Sequence, residues 1–356
     1  MLGGLKKILR KLLLTLVWLL FIFALFEGAG YVYFDVLNIK AIGEYGYPNG
    51  LFVAHDELDY LYQPGFNGNF SGGDFHDMEI NINEHGFRDD PFTPKTTTPR
   101  LAVIGDSVVF GAGVKKEDRF TELLEKSYNG KLEVYNLGVS SYSFGHYLTL
   151  ANINFVDLKP DYVLLGFTLN DIERKEDAWP AKRYGKLKVE GQSGKPAWLE
   201  YSQKVMGRTY AGRFTRELKT YIRSATLQQQ EKEAYHTKWM TTVDSAWRDD
   251  MIRGRLFDEI KAFQQVMQTK QIPFAFLLFP ELNTLLEPDK FSYPRRGLIN
   301  YLESLHIPYC DPYPVFASYK GDVHELFLYD DSVHFTSLGH ELISNAAADC
   351  LKLMGG

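Results

Sequence analysis

The sequence predicts an α/β protein, a three-layer α/β/α sandwich on a mostly parallel sheet, preceded by an N-terminal transmembrane helix. Three observations carry this. From residue 100 onward, short apolar runs alternate with helical stretches, which implies parallel strands joined by crossover helices. The 356 residues are 45% hydrophobic and 24% charged, enough to bury a sizeable core and far from a disordered composition. An uncharged run, LLLTLVWLLFIFALF, occupies Leu12 to Phe26 and its apolar character continues through Gly28 to Phe34. Interrupted only by Glu27, it gives about 23 residues, close to the number a helix needs to cross a bilayer.

The elements follow in chain order. Lys6, Lys7, Arg10 and Lys11 precede the apolar run, so the first 34 residues carry +3 and the remainder −9 of a net charge of −6. By the positive-inside rule the amino terminus stays in the cytoplasm and everything after about residue 35 lies outside, on the periplasmic or extracellular side. Tyr31, Tyr33 and Phe34 suit an interfacial aromatic belt. A cleaved signal peptide competes with this anchor, because Ala24, Gly28 and Ala29 supply small residues after the apolar run, but no A-x-A site is clear. Residues 35–99 read as an extended arm in which Glu79-Ile80-Asn81-Ile82-Asn83 alternates like a strand and ends at the turn Glu84-His85-Gly86.

Residues 100–353 carry the α/β rhythm. Strands are expected at Leu101–Ile104, Leu132–Leu137, Tyr162–Phe167, Phe274–Phe279 and near Pro308. Helices are expected near Glu117–Tyr128, Phe144–Leu158, Ala246–Gln268 and Arg295–Leu305, and at Thr336–Leu353. The rhythm stops over an insertion, residues 172–245, where Trp179, Trp198, Tyr201, Tyr210, Tyr221 and Trp239 alternate with Arg and Lys. That segment reads either as a peripheral helical subdomain or as a lid that shapes the substrate site.

Composition also excludes functions. The acidic body lacks the clustered Lys and Arg that nucleic acid demands. The histidines show no metal-ligand spacing, and neither a P-loop nor G-x-G-x-x-G is present, so no metal and no cofactor is expected. Cys310 and Cys350 are too few for a zinc knuckle or a disulfide framework, which leaves a single bridge open.

Open parallel sheets collect reactive groups just past the carboxyl ends of their strands. The first core strand runs into Gly105-Asp106-Ser107, the second ends at Asn136-Leu137-Gly138 and the third at Thr168-Leu169-Asn170-Asp171. Each feature alone is ordinary: a Ser after Gly is commonly a cap or turn residue. Together they place a hydroxyl beside hydrogen-bond donors suited to an oxyanion. A serine needs a base, and Asp331-Ser332-Val333-His334 offers an imidazole with a carboxylate three residues away. A histidine before a helix can equally be solvated, and Asp330 is a second carboxylate beside Asp331.

These blocks, GDSVVFG at 105–111, Gly138, Asn170-Asp171 and D-x-x-H at 331–334, in that order, resemble the four signature blocks of the SGNH/GDSL hydrolase superfamily over about residues 100–353. The resemblance implies a flavodoxin-like sheet, Ser107 as nucleophile, His334 as general base, Asp331 as its orienting partner, and an oxyanion hole from Ser107, Gly138 and Asn170. The third block is usually G-x-N-D, whereas here Thr168 stands at the glycine position. The arm's Asn83-Glu-His-Gly-Phe-Arg88 is similar to the segment that precedes the catalytic domain in membrane-anchored members, and Arg88 is expected to form an ion pair there. Asp322-Val323-His324 resembles the D-x-H of alginate-type acetyltransferases but follows the serine block rather than preceding it, so it reads as a solvated loop.

The expected function is a membrane-anchored serine esterase acting on acyl, chiefly O-acetyl, esters through an acyl-serine intermediate, with acetylated carbohydrate as one substrate class. Two alternatives stay open: an O-acyltransferase on an envelope polysaccharide fed by a membrane acyl-donor protein, and a non-catalytic anchored subunit of an envelope complex.

Overall fold

The computed structural model describes residues 2–32, 47–48, 50–70, 78–153, 158–177, 209–212, 229–328 and 331–355. The chain divides into two units, Met1–Tyr45 with Val189–Gln228, and Gly46–Lys188 with Gln229–Gly356.

In the first unit a helix, α1, runs over Leu2–Tyr31. Its Lys6–Tyr31 stretch of 26 residues has a mean hydropathy of 2.3, and Leu13, Trp18 and Phe21 are exposed. At 1.5 Å per residue this stretch is about 39 Å long, more than the hydrocarbon core of a bilayer. It is long and apolar enough to cross a membrane, as a signal sequence also would be. The Glu27 carboxylate accepts the N–H groups of Tyr210 (2.9 Å) and Ala211 (2.8 Å), and Tyr31 meets Tyr210 edge to face. Tyr33 and Phe34 lie outside the described residues, as do Trp179, Trp198, Tyr201 and Tyr221 of the insertion.

The second unit begins with two antiparallel hairpins, β1 (Phe52–His55) with β2 (Asp59–Tyr62), and β3 (Asn67–Phe70) with β4 (Met78–Asn81). Then come β5 (Arg100–Gly105), α2 (Ser107–Phe110), α3 (Phe120–Ser127), β6 (Glu133–Gly138), α4 (Phe144–Ile153) and β7 (Tyr162–Phe167). They are followed by α5 (Gln229–Arg248), α6 (Asp250–Lys270), β8 (Phe274–Leu278), α7 (Leu282–Leu286), α8 (Pro288–Ser304), β9 (Tyr309–Cys310), α9 (Tyr313–Ala317) and α10 (Ser337–Leu353). The last five strands form one sheet in the order β6-β5-β7-β8-β9, and every pair is parallel.

Strand periodicity explains the three layers. Ala102, Ile104, Leu165 and Phe276 point to one face, where Phe144 of α4 and Phe263 of α6 cover them. Their neighbours Leu101, Val103, Leu164 and Leu277 point to the other, against Leu124 of α3 and Ile343 of α10. Successive side chains alternate across a strand, so a sheet buried on both faces needs apolar residues throughout, which is how these runs read. The flavodoxin-like order places β5 between β6 and β7, so that the chain steps first to β6 and then back past β5 to β7. That reversal opens a crevice at the carboxyl end of β5.

The expected strands appear within a residue or two of their predicted limits. Two helices differ. The one predicted at Ala246–Gln268 is two, because Asp249 ends α5 and caps α6 by accepting the N–H groups of Met251 (2.9 Å) and Ile252 (3.0 Å). The last part of the insertion is therefore helical and packs inward through Met240, Val243 and Trp247. The helix predicted from Arg295 starts earlier, at Pro288, where a proline suits the first turn.

Cys310 on β9 and Cys350 on α10 form a disulfide with Cα atoms 5.5 Å apart and 40 residues between them in sequence. Such a bridge removes entropy from the unfolded chain. The double substitution Cys310→Ser with Cys350→Ser is expected to cost roughly 2–4 kcal/mol in denaturant unfolding.

Candidate active site

The crevice at the end of β5 holds Ser107 at the first position of α2. Asp106 caps this short helix, its Oδ1 accepting the Val108 N–H at 2.9 Å. Glycine at 138 is required by close approach, since a Cβ there would lie 2.2 Å from the Phe110 nitrogen. α2 thus sits directly on the end of β6. Asn136 fixes it further by donating through Nδ2 to the Val109 carbonyl (2.6 Å) and to Thr121 Oγ1 (3.0 Å).

His334 arrives from 227 residues away in sequence, in the loop before α10, and its Nε2 lies 2.7 Å from Ser107 Oγ. Its Nδ1 lies 2.5 Å from Asp331 Oδ2. The carboxylate therefore accepts the Nδ1–H hydrogen bond and leaves Nε2 as an acceptor facing the hydroxyl. Asp331 is itself oriented, because its Oδ1 accepts the N–H groups of Val333 (2.8 Å) and His334 (3.0 Å). Burial alone would raise the Asp331 pKa, but the His334 charge and these hydrogen bonds prevail and hold it below the usual carboxylate range. Burial opposes protonation of His334, yet the Asp331 charge and hydrogen bond outweigh it and the net shift is upward. Asp330 lies outside the described residues.

A base must be neutral to accept a proton. Because His334 holds its proton more tightly than a free imidazole, kcat/KM for ester hydrolysis should fall with decreasing pH through a midpoint above about 6.5. A pH–rate profile with an ester whose leaving group does not titrate checks this.

The oxyanion donors require one correction. The Gly138 N–H is donated to Asn136 Oδ1 at 3.0 Å and does not face the crevice free. The turn beyond it offers another group. Val139 O accepts the Tyr142 N–H (3.1 Å), and Ser141 stands between them at φ 63°, in the left-handed region. Among the described residues no hydrogen bond claims the N–H of Ser141 or of Ser107. Tyr62 pins this turn, donating to Ser140 Oγ (2.7 Å) and accepting the Ser140 N–H (2.8 Å), while Tyr60 donates to the Ser140 carbonyl (3.0 Å).

Asn170 lies in a single 3₁₀ turn, Leu169–Ile172, just past β7, and its buried Oδ1 has no partner among the described residues. The turn is held at both ends of Leu169, whose N–H goes to Glu281 Oε1 (2.8 Å) and whose carbonyl accepts the Trp247 Nε1–H (2.8 Å). Burial pushes the Glu281 carboxyl up to about 8. Sequence reasoning missed Ser141 and Glu281. Their only signal is position, each lying three residues past the end of a core strand.

Arg88 also requires correction. Among the described residues it forms no ion pair; its buried guanidinium donates to the carbonyls of Phe110 (3.2 Å), Gly111 (2.9 Å), Val114 (3.1 Å) and Glu79 (3.1 Å). The first two end α2, so the arm caps the helix that begins with Ser107. Asp322 and His324 are exposed, and Asp322 Oδ1 merely accepts the His324 N–H (3.0 Å), as expected of a solvated loop.

A model of the GDSL-like lipase/acylhydrolase family matches residues 103–342. Solved structures similar to this chain include a member of the lipolytic protein G-D-S-L family from Veillonella parvula DSM 2008, at 14% identity over 71% of this chain and 98% of that one, with a TM-score of 0.40. The psychrotrophic esterase EstA from Pseudoalteromonas sp., inhibited by monoethylphosphonate, is 14% identical over 71% and 97%, with a TM-score of 0.41. The lipase/acylhydrolase from Enterococcus faecalis is 13% identical over 72% and 96%, with a TM-score of 0.40. No curated protein sequence matches the chain.

Proposed function

We propose, from the premise that this chain belongs to the GDSL-like lipase/acylhydrolase family and is a serine ester hydrolase, that it acts as a membrane-anchored esterase on O-acyl, chiefly O-acetyl, groups outside the cytoplasmic membrane. The observation that carries the catalytic part is the relay from Asp331 through His334 to Ser107, with contacts of 2.5 and 2.7 Å.

His334 Nε2 takes the Ser107 proton as Oγ attacks the ester carbonyl carbon, and the carbonyl electron pair moves onto its oxygen. The N–H groups of Ser107 and Ser141 and the Asn170 amide meet that oxyanion. Each such donor is worth roughly 3 kcal/mol in the transition state. The carbon–oxygen bond to the alcohol then breaks as His334 returns the proton to the leaving oxygen. Water, deprotonated by the same nitrogen, attacks the acyl-Ser107 carbonyl, and the bond from the acyl carbon to Oγ breaks as His334 returns the proton to Ser107, which releases the acid. Asp331 stays ionised throughout and holds the ring in its tautomer.

Two observations support the outside location. Lys6, Lys7, Arg10 and Lys11 lie at the amino-terminal end of α1, before its apolar run, which suits a cytoplasmic amino terminus. The Cys310–Cys350 disulfide suits an oxidising compartment.

Mass spectrometry of the protein treated with a small fluorophosphonate tests the mechanism, and a single adduct on Ser107 is expected. Absence of labelling on folded protein would overturn it. A panel of acetyl and longer acyl esters, run with and without a carbohydrate acceptor, then reads acyl length. Acylated sugar in excess of free acid would move the assignment from hydrolysis to transfer.

A further inference from the structure

Thr168 stands where the family's third block usually has glycine, and it is fully buried between two carboxyl groups. Its Oγ1 lies 3.2 Å from Asp106 Oδ2 and 3.0 Å from Asp171 Oδ1, while its N–H goes to Asp171 Oδ2 at 2.9 Å. Asp106 and Asp171 are 2% and 1% exposed. A hydroxyl has one hydrogen and cannot donate to both. A proton on one carboxyl group, donated to Thr168 Oγ1, satisfies the second contact and leaves the hydroxyl hydrogen for the other.

We propose that Thr168 is a positioning residue whose hydroxyl bridges the two carboxyl groups, so that Asp171 keeps their shared proton while Asp106 stays ionised beside His334. The proposal rests on the reading of His334 as the base.

The surroundings decide which carboxyl group is neutral. Burial raises the proton affinity of Asp106, but it caps α2 with one oxygen, accepts from Thr168 with the other and faces the His334 ring, and these contacts oppose that rise and favour its anion over that of Asp171. Asp171 is buried against the Asp106 charge, and both push its proton affinity up. Among the described residues the other ionisable groups around Asp106 and Asp171 include Glu281 past β8, Tyr147 on α4 and Tyr47 and Tyr60 from the arm, none of them cationic. His334 itself faces Asp331 on its own loop, Asp106 across the crevice and His340 on α10, whose proton affinity burial depresses. His334 thus works between two carboxylates, and Thr168 maintains the second.

The test is the pH dependence of kcat/KM for ester hydrolysis by the full chain, with thermal unfolding recorded in parallel. Thr168→Val keeps the shape and the backbone donor but removes the bridge. Asp106 then loses a donor to its anion and more readily becomes neutral, and His334 loses a charge that favours its protonated form. The acid-limb midpoint is expected to fall by roughly half a pH unit or more. Thr168→Ser restores the wild-type midpoint. Asp171→Asn, which offers Thr168 the same donor and acceptor without charge, holds that midpoint too. Should Thr168→Val not fold, Thr168→Ala carries the same expectation.

A wild-type midpoint in Thr168→Val or Thr168→Ala, a shifted one in Thr168→Ser, or a shift in Asp171→Asn would each overturn the proposal. Absence of ester turnover in the wild-type chain would instead overturn the function on which it rests.

Discussion

Ser107→Ala is expected to lower ester turnover by roughly 10⁴- to 10⁶-fold, with the thermal midpoint within a few degrees of wild type. The magnitude follows from the relay. With Oγ gone, neither the covalent intermediate nor the proton transfer to His334 Nε2 can occur, and only the oxyanion donors remain to act on a bound ester. The small effect on folding follows from position, since the Ser107 side chain is partly exposed and its hydroxyl contacts serve the site. His334→Ala should cost about as much, and the double substitution no more than either, because the three residues act as one unit. Steady-state kinetics with a chromogenic acetyl ester, together with a melting curve for each variant, measures both halves of the expectation.

Arg88→Ala has the largest expected effect on stability, about 3–5 kcal/mol in denaturant unfolding. The guanidinium is 2% exposed, and burial lowers its pKa to about 9, with the neighbouring Arg119 charge adding to the shift. Its four acceptors are main-chain carbonyls that lose their partner when the side chain is removed. Lysine does not rescue the loss, because a single ammonium cannot reproduce a planar fork spanning the end of α2, Val114 and Glu79. Where the variant still folds, kcat should fall as well, since α2 begins at Ser107, the proposed nucleophile.

The sheet was legible because its strands are apolar on both faces and separated by breaks. The triad was legible because each member sits in a short motif at a strand end or helix start. The hydrogen-bond partners were not. Whether Gly138 presents a free N–H depends on the rotamer of Asn136 two residues earlier, which no motif encodes. Arg88 carries the appearance of an ion-pair residue, and its actual partners lie between 9 and 26 positions away in sequence. Residues 229–245 of the insertion read as polar, although α5 buries Met240, Val243 and Trp247 among its charges. The departure at Thr168 was visible in the sequence, whereas its meaning needed the positions of two carboxyl groups separated by 65 residues.

The arm sets a limit on how this enzyme can be shortened. The stretch that matches its family, residues 103–342, contains Ser107, Asp331 and His334 but omits Tyr60, Tyr62, Arg88 and Cys350. Kinship and self-sufficiency therefore have different borders here. A recombinant product cut at the first would possess the three side chains of the relay and lose these four supports.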